Sequence, residues 1–421
     1  MPSPTPPIKH AARRRFGAAT TLVKALAIAV AVVLVSGVSV AAIALTSIAS
    51  QVSANSIDIS GGTASQPHVG AFVGGFNVLI VGTDNDASQG DAFGERDATL
   101  NDVNILLHVS ADQKSGVVVS FPRDLIVDHP QCTDPTTGEE FDATYNQPLN
   151  TGFERGGLAC ITSTIENLTG LDVPYAGLIS FNGVIEMTNA VGGVPVCLNE
   201  PIVDTDSGLD LPAGTTVISG SDALAFLRTR HGVGDGSDLA RISSQQQYLS
   251  SLVRTLKSAN TLTDVTKLYG LAQAAAENIK LSTSLASLDS MVSLALALKD
   301  VDLNKLVFVQ YPGTTNDPDY PGKVVPTTST ADELFAKIKA DEPFTLDAGA
   351  TGPGSSVVDG STGAATDAAT DTPTDPATGA PDASGSATTT PTDGSTTGPD
   401  VIDGVTGQTA AQQTCANAFG D

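Results

Sequence analysis

The chain has 421 residues, and 46 aspartates and glutamates against 21 lysines and arginines give it a formal net charge of −25. This acid excess argues against DNA or RNA as a partner, because nucleic-acid-binding domains present a basic face to phosphate. The sequence contains no GxSxG, HExxH or P-loop motif, which argues against a serine hydrolase, a zinc protease or a nucleoside triphosphatase.

The amino-terminal region predicts a membrane anchor. Residues 1–24 form a basic segment without an acid, and residues 25–45 are 21 apolar or small residues without a charge. About 20 such residues can cross the hydrocarbon layer as a helix, with the basic flank on the cytoplasmic side. A cleavable signal peptide is the alternative, although its apolar region is usually shorter. We expect a single-pass protein of the cell membrane whose later residues are extracytoplasmic.

Composition divides the remaining chain. Residues 46–75 are rich in Gly, Ser and Ala and predict a stalk or linker, whereas residues 76–346 have enough apolar side chains for a sizeable core. Residues 347–407 consist mainly of Thr, Ala, Gly, Pro and Asp, a composition that predicts a disordered tail. Residues 408–421 regain some capacity for order, and a disulfide could tether them to the core.

Four cysteines, at positions 132, 160, 197 and 415, have no CxxC spacing that would indicate zinc or redox chemistry. An even number in an exported chain favours two disulfides. Three pairings are possible. We prefer Cys132 with Cys160, which brackets a loop-rich region, and Cys197 with Cys415.

Short apolar runs predict strands at residues 77–84, 102–110 and 116–121, the last two forming a hairpin-like pair. Helical patterns follow at about 156–169, 183–191, 243–258, 263–279 and 284–298. In the third helix Ser243 or Ser244 could cap the start, and an apolar stripe runs from Tyr248 to Leu256. Interleaved strands and helices predict an α/β fold with a central mixed sheet flanked by helices.

Two carboxylates are candidates for a metal site. Asp84 closes the first strand and Asp102 opens the second, so both side chains could meet at one edge of the sheet. Oxygen ligands of this kind suit Mg²⁺, which takes one or two carboxylates and completes its shell with water and phosphate. The alternative is that Asp84 caps a turn and Asp102 a strand start.

Arginines are concentrated in one part of this acidic chain. Arg228 and Arg230 alternate on what we predict to be an extended segment, so both would face one side, and Arg241 follows shortly after. Arg123 is held in position by the preceding proline. Guanidinium groups bind phosphate oxygens two at a time, which favours an anionic ligand. The alternative is surface pairing with nearby acids, with Asp124 for Arg123 and with Asp235 or Asp238 for the others.

Seven segments in a fixed order resemble the LytR–CpsA–Psr family of cell-wall ligases. The cysteines and the high content of Ala, Thr and Asp are typical of actinobacterial members. The matching segments are NVLIVGTD, NDVNILLHVSAD, SFPRDL, YNQPLNTGFERGG, YAGLISFNGVIEMTNAVGGVPV, ISGSDALAFLRTRH and DLARISSQQ. The resemblance implies that residues 76–346 are the catalytic domain, with a Mg²⁺ or Mn²⁺ site and a groove for a polyprenyl-pyrophosphate-linked glycan. It also implies transfer of that glycan to a peptidoglycan hydroxyl through a phosphodiester. By analogy, the polymer could be arabinogalactan or a related glycan.

The resemblance also assigns roles by position. It places the metal on Asp84 and Asp102, and the pyrophosphate on Arg123, Arg228, Arg230 and Arg241, with Asp238 and Gln245 as the remaining polar site residues. Candidates for the lining of the lipid groove are Phe181, Val184, Ile185 and Leu224, although a core role is the alternative for each.

Three positions depart from the family pattern by lacking a cation. The family commonly has Asp-Ser-Arg where this chain has Asp84, Asn85 and Asp86, and arginines where it has Leu100 and Ser244. We hypothesise that Arg96 compensates as a substrate-binding residue, and unchanged affinity and turnover in Arg96→Ala would contradict this. Two other functions stay open: a metal-dependent polyprenyl-pyrophosphate hydrolase, and a non-catalytic protein that binds the wall or the lipid carrier.

Overall fold

The computed structural model describes residues 23, 56–59, 74–84, 99–258, 261, 264–347, 349–358 and 400–420. The predicted anchor at 25–45, Arg96 and most of the predicted tail lie outside these residues. Within the described ranges, no helix combines the length and the apolar character needed to cross a bilayer. The chain divides into two compact units, Met1–Gln51 and Val52–Asp421, and all the elements below belong to the second unit.

The described residues contain strands and helices throughout. The strands are β1 Phe76–Thr83, β2 Asn101–Val109, β3 Gly116–Phe121, β4 Ile126–His129, β5 Cys132–Thr133, β6 Glu140–Phe141, β7 Thr144–Pro148, β8 Tyr175–Ile179, β9 Val194–Leu198, β10 Ile202–Asp204, β11 Leu209–Leu211, β12 Gly214–Ile218, β13 Ile279–Leu281, β14 Leu306–Gln310, β15 Gly313–Thr314, β16 Val325–Pro326, β17 Phe344–Thr345, β18 Ser355–Val357, β19 Asp400–Val401, β20 Gly407–Thr409 and β21 Thr414–Ala416. The α-helices are α1 Phe153–Thr169, α2 Phe181–Val191, α3 Gly220–Arg228, α4 Asp238–Ser258, α5 Val265–Asn278, α6 Leu288–Lys299 and α7 Thr328–Lys339, and short 3₁₀ helices cover Leu149–Gly152 and Leu303–Lys305.

A seven-stranded mixed sheet forms the centre of the fold, in the order β13-β8-β1-β2-β3-β14-β20. β1, β2 and β3 run antiparallel in sequence, while β8 joins β1 and β14 joins β3 in parallel. The predicted α/β class, its central mixed sheet and the three predicted strands are therefore confirmed. Ile57, in the segment expected to be a linker, exchanges backbone hydrogen bonds with the chain around Ser282 beside β13.

The two faces of the central sheet bury different surfaces because side chains alternate along a strand. Leu79 and Val81 of β1 belong to the main hydrophobic core, together with Ile161 of α1 and Leu334 of α7. The intervening Ile80 faces a cavity bounded by α2, α3, α4 and α5. One face of the sheet thus forms a solid core, and the other leaves an internal space.

The helical predictions hold in outline and fail at particular boundaries. The segment around Arg228 was expected to be a strand, but it ends helix α3. The buried apolar side chains of α3 belong to a second hydrophobic core, which they form with residues of β9, β10, β11 and β12. α4 begins at Asp238 rather than near residue 243, so Ser243 and Ser244 do not cap it. Both serines are buried inside the helix, and their hydroxyls donate to the carbonyls of Leu239 and Ala240.

A second sheet of four strands has the order β12-β9-β21-β18 and brings the end of the chain onto the domain. The Cys197–Cys415 disulfide connects β9 with β21, and Cys132–Cys160 connects β5 with α1. Both preferred pairings are confirmed. Strands from residues 355–357 and 407–416 therefore join sheets formed by residues much earlier in the chain.

Candidate active site

Asp84 and Asp102 lie at the same edge of the central sheet. β1 ends and β2 begins there, with Thr83 opposite Asn101. The Asp84 side chain is buried, and its Oδ1 accepts the backbone N–H of Leu100 at 3.1 Å. The Asp102 carboxylate instead accepts a hydrogen bond from Arg123 Nη1 at 2.5 Å. The predicted proximity of the two segments is confirmed, but the two carboxylates have different surroundings.

Three arginines converge on Asp238, the first residue of α4. Its Oδ1 lies 2.6 Å from Arg241 Nη2, 3.4 Å from Arg230 Nη2 and 4.0 Å from Arg123 Nε. Arg241 is only 4% exposed, and the same Nη2 also donates to the carbonyl of Asp102 at 2.9 Å. Of the acids considered as alternative partners, Asp238 pairs with Arg230 and Arg241, and Asp124 pairs with Arg123. These pairs are largely buried rather than on the surface, and they gather the guanidinium groups at one place.

Arg228 and Arg230 approach the same cavity although they do not lie on a strand. Arg228 ends α3, and Thr229 has extended backbone angles, φ −58° and ψ 137°. An extended residue places its neighbours on the same side, so Thr229 is completely buried while the two arginines line a polar cavity. The Arg228 guanidinium also lies 4.4 Å from the centre of the Phe181 ring, within the range of a cation–π contact.

An apolar cavity of about 270 Å³ leads away from this polar site. Its walls come from the sheet and from α2, α3, α4 and α5, and the apolar stripe predicted on α4 supplies Tyr248, Leu249, Leu252 and Leu256. Of the four residues proposed for a lipid groove, Phe181, Val184 and Leu224 line the cavity, but Ile185 does not. The prediction for Ile185 is wrong, because α2 turns that side chain to another side.

The polar end of the apolar cavity is formed by Asp102, Arg228, Arg241 and Gln245. Gln245 Nε2 is oriented by donating to the carbonyl of Leu227 at 2.9 Å. Beside it lies a polar cavity of about 200 Å³, lined mainly by charged residues of five chain segments. Its lining is Asp102, Arg123, Asp204, Asp206, Ser207, Arg228, Arg230, His231 and Arg241. The two cavities share Asp102, Arg228 and Arg241, so an elongated apolar molecule could place an anionic group among the arginines.

The electrostatics of the site favour an anion. Burial raises the pKa of Asp102, but the charges of Arg123, Arg241 and Arg230 outweigh it and hold that pKa below its usual value. The pKa of Arg230 is lowered by burial and by the neighbouring charges of Arg241 and Arg123. Cations that destabilise each other in this way are stabilised when an anion binds between them.

Asp84 and Asp102 place two carboxylates, a donor type that suits a divalent cation, at one edge of the central sheet. Within the described ranges, no three acidic, histidine or cysteine side chains are grouped as a complete metal site. Mg²⁺ is usually bound by one or two carboxylates together with water and phosphate oxygens, which is what Asp84 and Asp102 could offer at this edge. The Asp102 side chain faces both cavities, whereas Asp84 is a lining residue of neither.

Three residues beside the arginines, Thr229, Asp204 and Asp206, were not predicted from the sequence. Thr229 Oγ1 donates to Asp204 Oδ2 at 2.5 Å, and this contact joins the β10–β11 hairpin to the arginine segment. His231 also lies on the polar cavity, beside Asp206. No local sequence pattern indicates this arrangement, because the contact joins segments that lie 25 residues apart.

The chain is similar in sequence to known proteins. The profile of the LytR_cpsA_psr family matches residues 34–339. The cell wall biosynthesis protein LcpA of Corynebacterium glutamicum is 29% identical over 325 residues, which cover 71% of this chain and 61% of LcpA. The polyisoprenyl-teichoic acid–peptidoglycan teichoic acid transferase TagT of Bacillus subtilis is 26% identical, over 56% of this chain and 69% of TagT.

A solved structure supports the fold. The protein gbs0355 of Streptococcus agalactiae superposes with a TM-score of 0.52 at 21% identity, over 64% of this chain and 88% of that protein. Among the curated relatives, the chain spans about three-fifths of the length of LcpA. Because the family profile matches well over half of the sequence, including every candidate site residue, the chain belongs to the LytR_cpsA_psr family.

Proposed function

We propose that the protein is a phosphotransferase that moves a glycopolymer from a polyprenyl-pyrophosphate carrier to a peptidoglycan hydroxyl. The observation that carries this proposal is the apolar cavity that ends at Arg228 and Arg241 and adjoins a second, cationic cavity. A free sugar phosphate has no apolar group to fill the apolar cavity, and a lipid without a charged group has no anion to pair with the arginines. A molecule with a prenyl chain joined to a pyrophosphate uses both.

In the proposed reaction the hydroxyl oxygen of the acceptor attacks the phosphorus that carries the glycan. The bond from that phosphorus to the bridging oxygen breaks, and polyprenyl phosphate leaves with the electron pair. Negative charge therefore grows on the leaving phosphate. Guanidinium groups already held in place stabilise this charge without reorganisation. Arg228 and Arg241, at the end of the lipid cavity, would bind it together with Arg230 of the polar cavity, and Arg123 would bind the neighbouring phosphate.

Asp238 has a different role in this proposal. It lines neither cavity, but it is the shared partner of Arg123, Arg230 and Arg241. It therefore orients cations that would otherwise repel each other. Gln245, at the junction, would donate or accept a hydrogen bond at the pyrophosphate.

A divalent metal is part of the proposal, with Mg²⁺ preferred and Mn²⁺ as a substitute. Asp84 and Asp102 would hold it at the edge of the sheet. When bound, the metal would supply positive charge to the pyrophosphate oxygens as the bridging bond breaks.

We also propose that residues 25–45 anchor the enzyme in the cytoplasmic membrane, with the catalytic domain on the extracytoplasmic side, where lipid carrier and peptidoglycan are both present.

The test uses the full-length protein in detergent micelles or nanodiscs. It is incubated with a polyprenyl-pyrophosphate oligosaccharide, Mg²⁺ and peptidoglycan fragments, and the products are followed by mass. We expect an acceptor that carries a sugar phosphate, formed by the wild type and lost both in Arg228→Ala and on addition of EDTA. Free phosphorylated sugar alone would instead identify a hydrolase. Binding of the donor without any product would identify a non-catalytic binding protein.

A further inference from the structure

A hairpin turn is joined to the arginine segment beside the polar cavity. Asp204, where β10 ends, accepts the Thr229 hydroxyl through Oδ2 at 2.5 Å. Its Oδ1 accepts the backbone N–H groups of Asp206 at 3.0 Å and Ser207 at 3.4 Å. The turn that carries Asp206 is therefore fixed both internally and to the residue between the two cavity-lining arginines.

The residue that follows His231 allows this close approach. A Cβ atom on Gly232 would lie 2.8 Å from both Ile202 Cγ2 and Thr229 Oγ1, distances that real Cβ contacts essentially never show. Glycine at this position therefore lets the arginine segment pack directly on the hairpin. The packing brings His231 Nδ1 to 2.7 Å from Asp206 Oδ2. Both side chains are largely exposed, His231 at 70% and Asp206 at 72%, so an acceptor could reach them.

The other groups around the polar cavity are poor proton acceptors. Arginine has no free lone pair to offer and stays protonated. The Asp102 carboxylate is engaged by Arg123, whose Nη1 donates to it at 2.5 Å. Burial of Asp204 raises its pKa, but hydrogen bonds from Thr229 and from the turn outweigh this effect and lower it. Both carboxylates are therefore stabilised as anions and are weak bases.

We propose that His231, oriented by Asp206, is the general base that removes the proton from the acceptor hydroxyl. The inference rests on the phosphotransferase function proposed above and names the residue that activates its acceptor. Because Asp206 accepts a hydrogen bond from Nδ1, the proton of a neutral ring resides on Nδ1 and Nε2 is the basic atom. Imidazole changes its protonation nearest neutral pH of all side chains, which suits a general base.

The proposed step conserves every proton and bond. The hydroxyl proton moves to His231 Nε2 as the acceptor oxygen bonds to the glycan-bearing phosphorus. The bridging P–O bond breaks, and polyprenyl phosphate departs with the bonding electrons. The proton then passes from the imidazolium to solvent or to the leaving phosphate, which regenerates the neutral ring. The charged groups that line the cavity together with His231 are Asp102, Arg123, Asp204, Asp206, Arg228, Arg230 and Arg241.

The test compares His231→Gln and Asp206→Asn with wild type in the full-length ligation assay, over a range of pH. Asp210→Asn is the matched control, because Asp210 is an exposed aspartate of the same hairpin that does not line the polar cavity. Loss of a general base typically costs about 10²–10⁴-fold in rate. We expect His231→Gln to lower the ligation rate about 100-fold and to abolish the decline of rate at acidic pH. Donor affinity, measured separately with a labelled polyprenyl pyrophosphate, should stay unchanged.

A rescue experiment separates chemistry from structure. His231→Ala should regain part of its ligation rate on addition of imidazole, and a histidine with only a structural role would not show this response. Asp206→Asn should lower the rate less than His231→Gln, since it removes only the orienting carboxylate. An unaltered ligation rate and pH profile in His231→Gln would overturn the assignment of the base alone. Absence of any ligation by the wild type would overturn the phosphotransferase function and the role of His231 together.

Discussion

The Asp102 carboxylate lies 2.5 Å from the Arg123 guanidinium, so an acid at the start of β2 is joined to a base just beyond the end of β3. The two side chains are only 17% and 24% exposed. A charged hydrogen bond in such a place contributes about 1.5–3 kcal/mol. The pair therefore stabilises the domain in addition to being part of the candidate site.

We expect Asp102→Asn to lower the free energy of unfolding by about 1–3 kcal/mol at pH 7. The pKa of Asp102 is depressed in the folded protein by the arginine charges, which outweigh the effect of burial. Its contribution is therefore fully present above the pKa of the unfolded state and is lost as the pH falls through the lower folded value. Urea unfolding of wild type and variant in EDTA should show a difference at pH 7 that shrinks below about pH 4. A difference that does not depend on pH would contradict this account.

Asp238→Asn tests whether Asp238 acts by orienting the arginines or only by its negative charge. The substitution makes the site more positive, so an electrostatic effect alone would tighten the binding of an anion. We expect the opposite, a loss of about tenfold or more in donor affinity, because Arg123, Arg230 and Arg241 lose the carboxylate on which they converge. Asp235→Asn, at an exposed aspartate three residues earlier, is the control. Titration calorimetry with inorganic pyrophosphate and with the lipid donor measures both effects, and tighter binding in Asp238→Asn would contradict the orienting role.

The sequence predicted the strands at the site better than the arginine segment. Short β-branched runs bounded by Gly, Asp and Pro located β1, β2 and β3, since buried strands have a local signature. The helix that ends at Arg228 escaped prediction because its nine residues are too few to show a clear period. The alternation of Arg228, Thr229 and Arg230 was nevertheless informative, because Thr229 itself is extended.

Contacts between distant segments could not be read from local patterns. Nothing around Asp204 indicates that Thr229, 25 residues later, donates to it. The composition of residues 347–407 predicts disorder, yet β18, β19 and the first residue of β20 lie in this range and pair with other strands. Whether a leucine or valine lines a cavity or a core also depends on its neighbours in three dimensions, which is why Ile185 was assigned wrongly.

Removal of the Cys197–Cys415 disulfide is expected to destabilise the domain. The bridge closes a loop with a sequence separation of 218 residues and fixes β21 beside β9. Loss of a native disulfide typically costs about 2–5 kcal/mol. The double variant Cys197→Ser/Cys415→Ser should unfold at lower denaturant concentration than the wild type. Cys132→Ser/Cys160→Ser, whose loop has a separation of 28 residues, is the comparison and should lose less if chain entropy dominates. Equal losses would point to local packing instead.

A bulky residue in the apolar cavity should separate lipid binding from phosphate binding. Val184 lines the cavity, whereas Ile185, the next residue of α2, does not. Each buried methylene contributes about 0.8 kcal/mol, so exclusion of even one isoprene unit removes several kcal/mol of binding. We expect Val184→Trp to weaken the polyprenyl-pyrophosphate donor by about 100-fold or more, which corresponds to about 2.7 kcal/mol.

The same variant should leave inorganic pyrophosphate binding unchanged, because the arginines lie at the polar end of the cavity. Ile185→Trp is the matched control, since it places the same indole on the same helix outside the lining. Both proteins are compared with wild type by calorimetry, using inorganic pyrophosphate and donors of increasing prenyl length. A dependence of affinity on prenyl length in wild type and Ile185→Trp, but not in Val184→Trp, would place the lipid in this cavity. Equal weakening of donor binding in both tryptophan variants would mean that the prenyl chain binds elsewhere, because only Val184→Trp fills the apolar cavity.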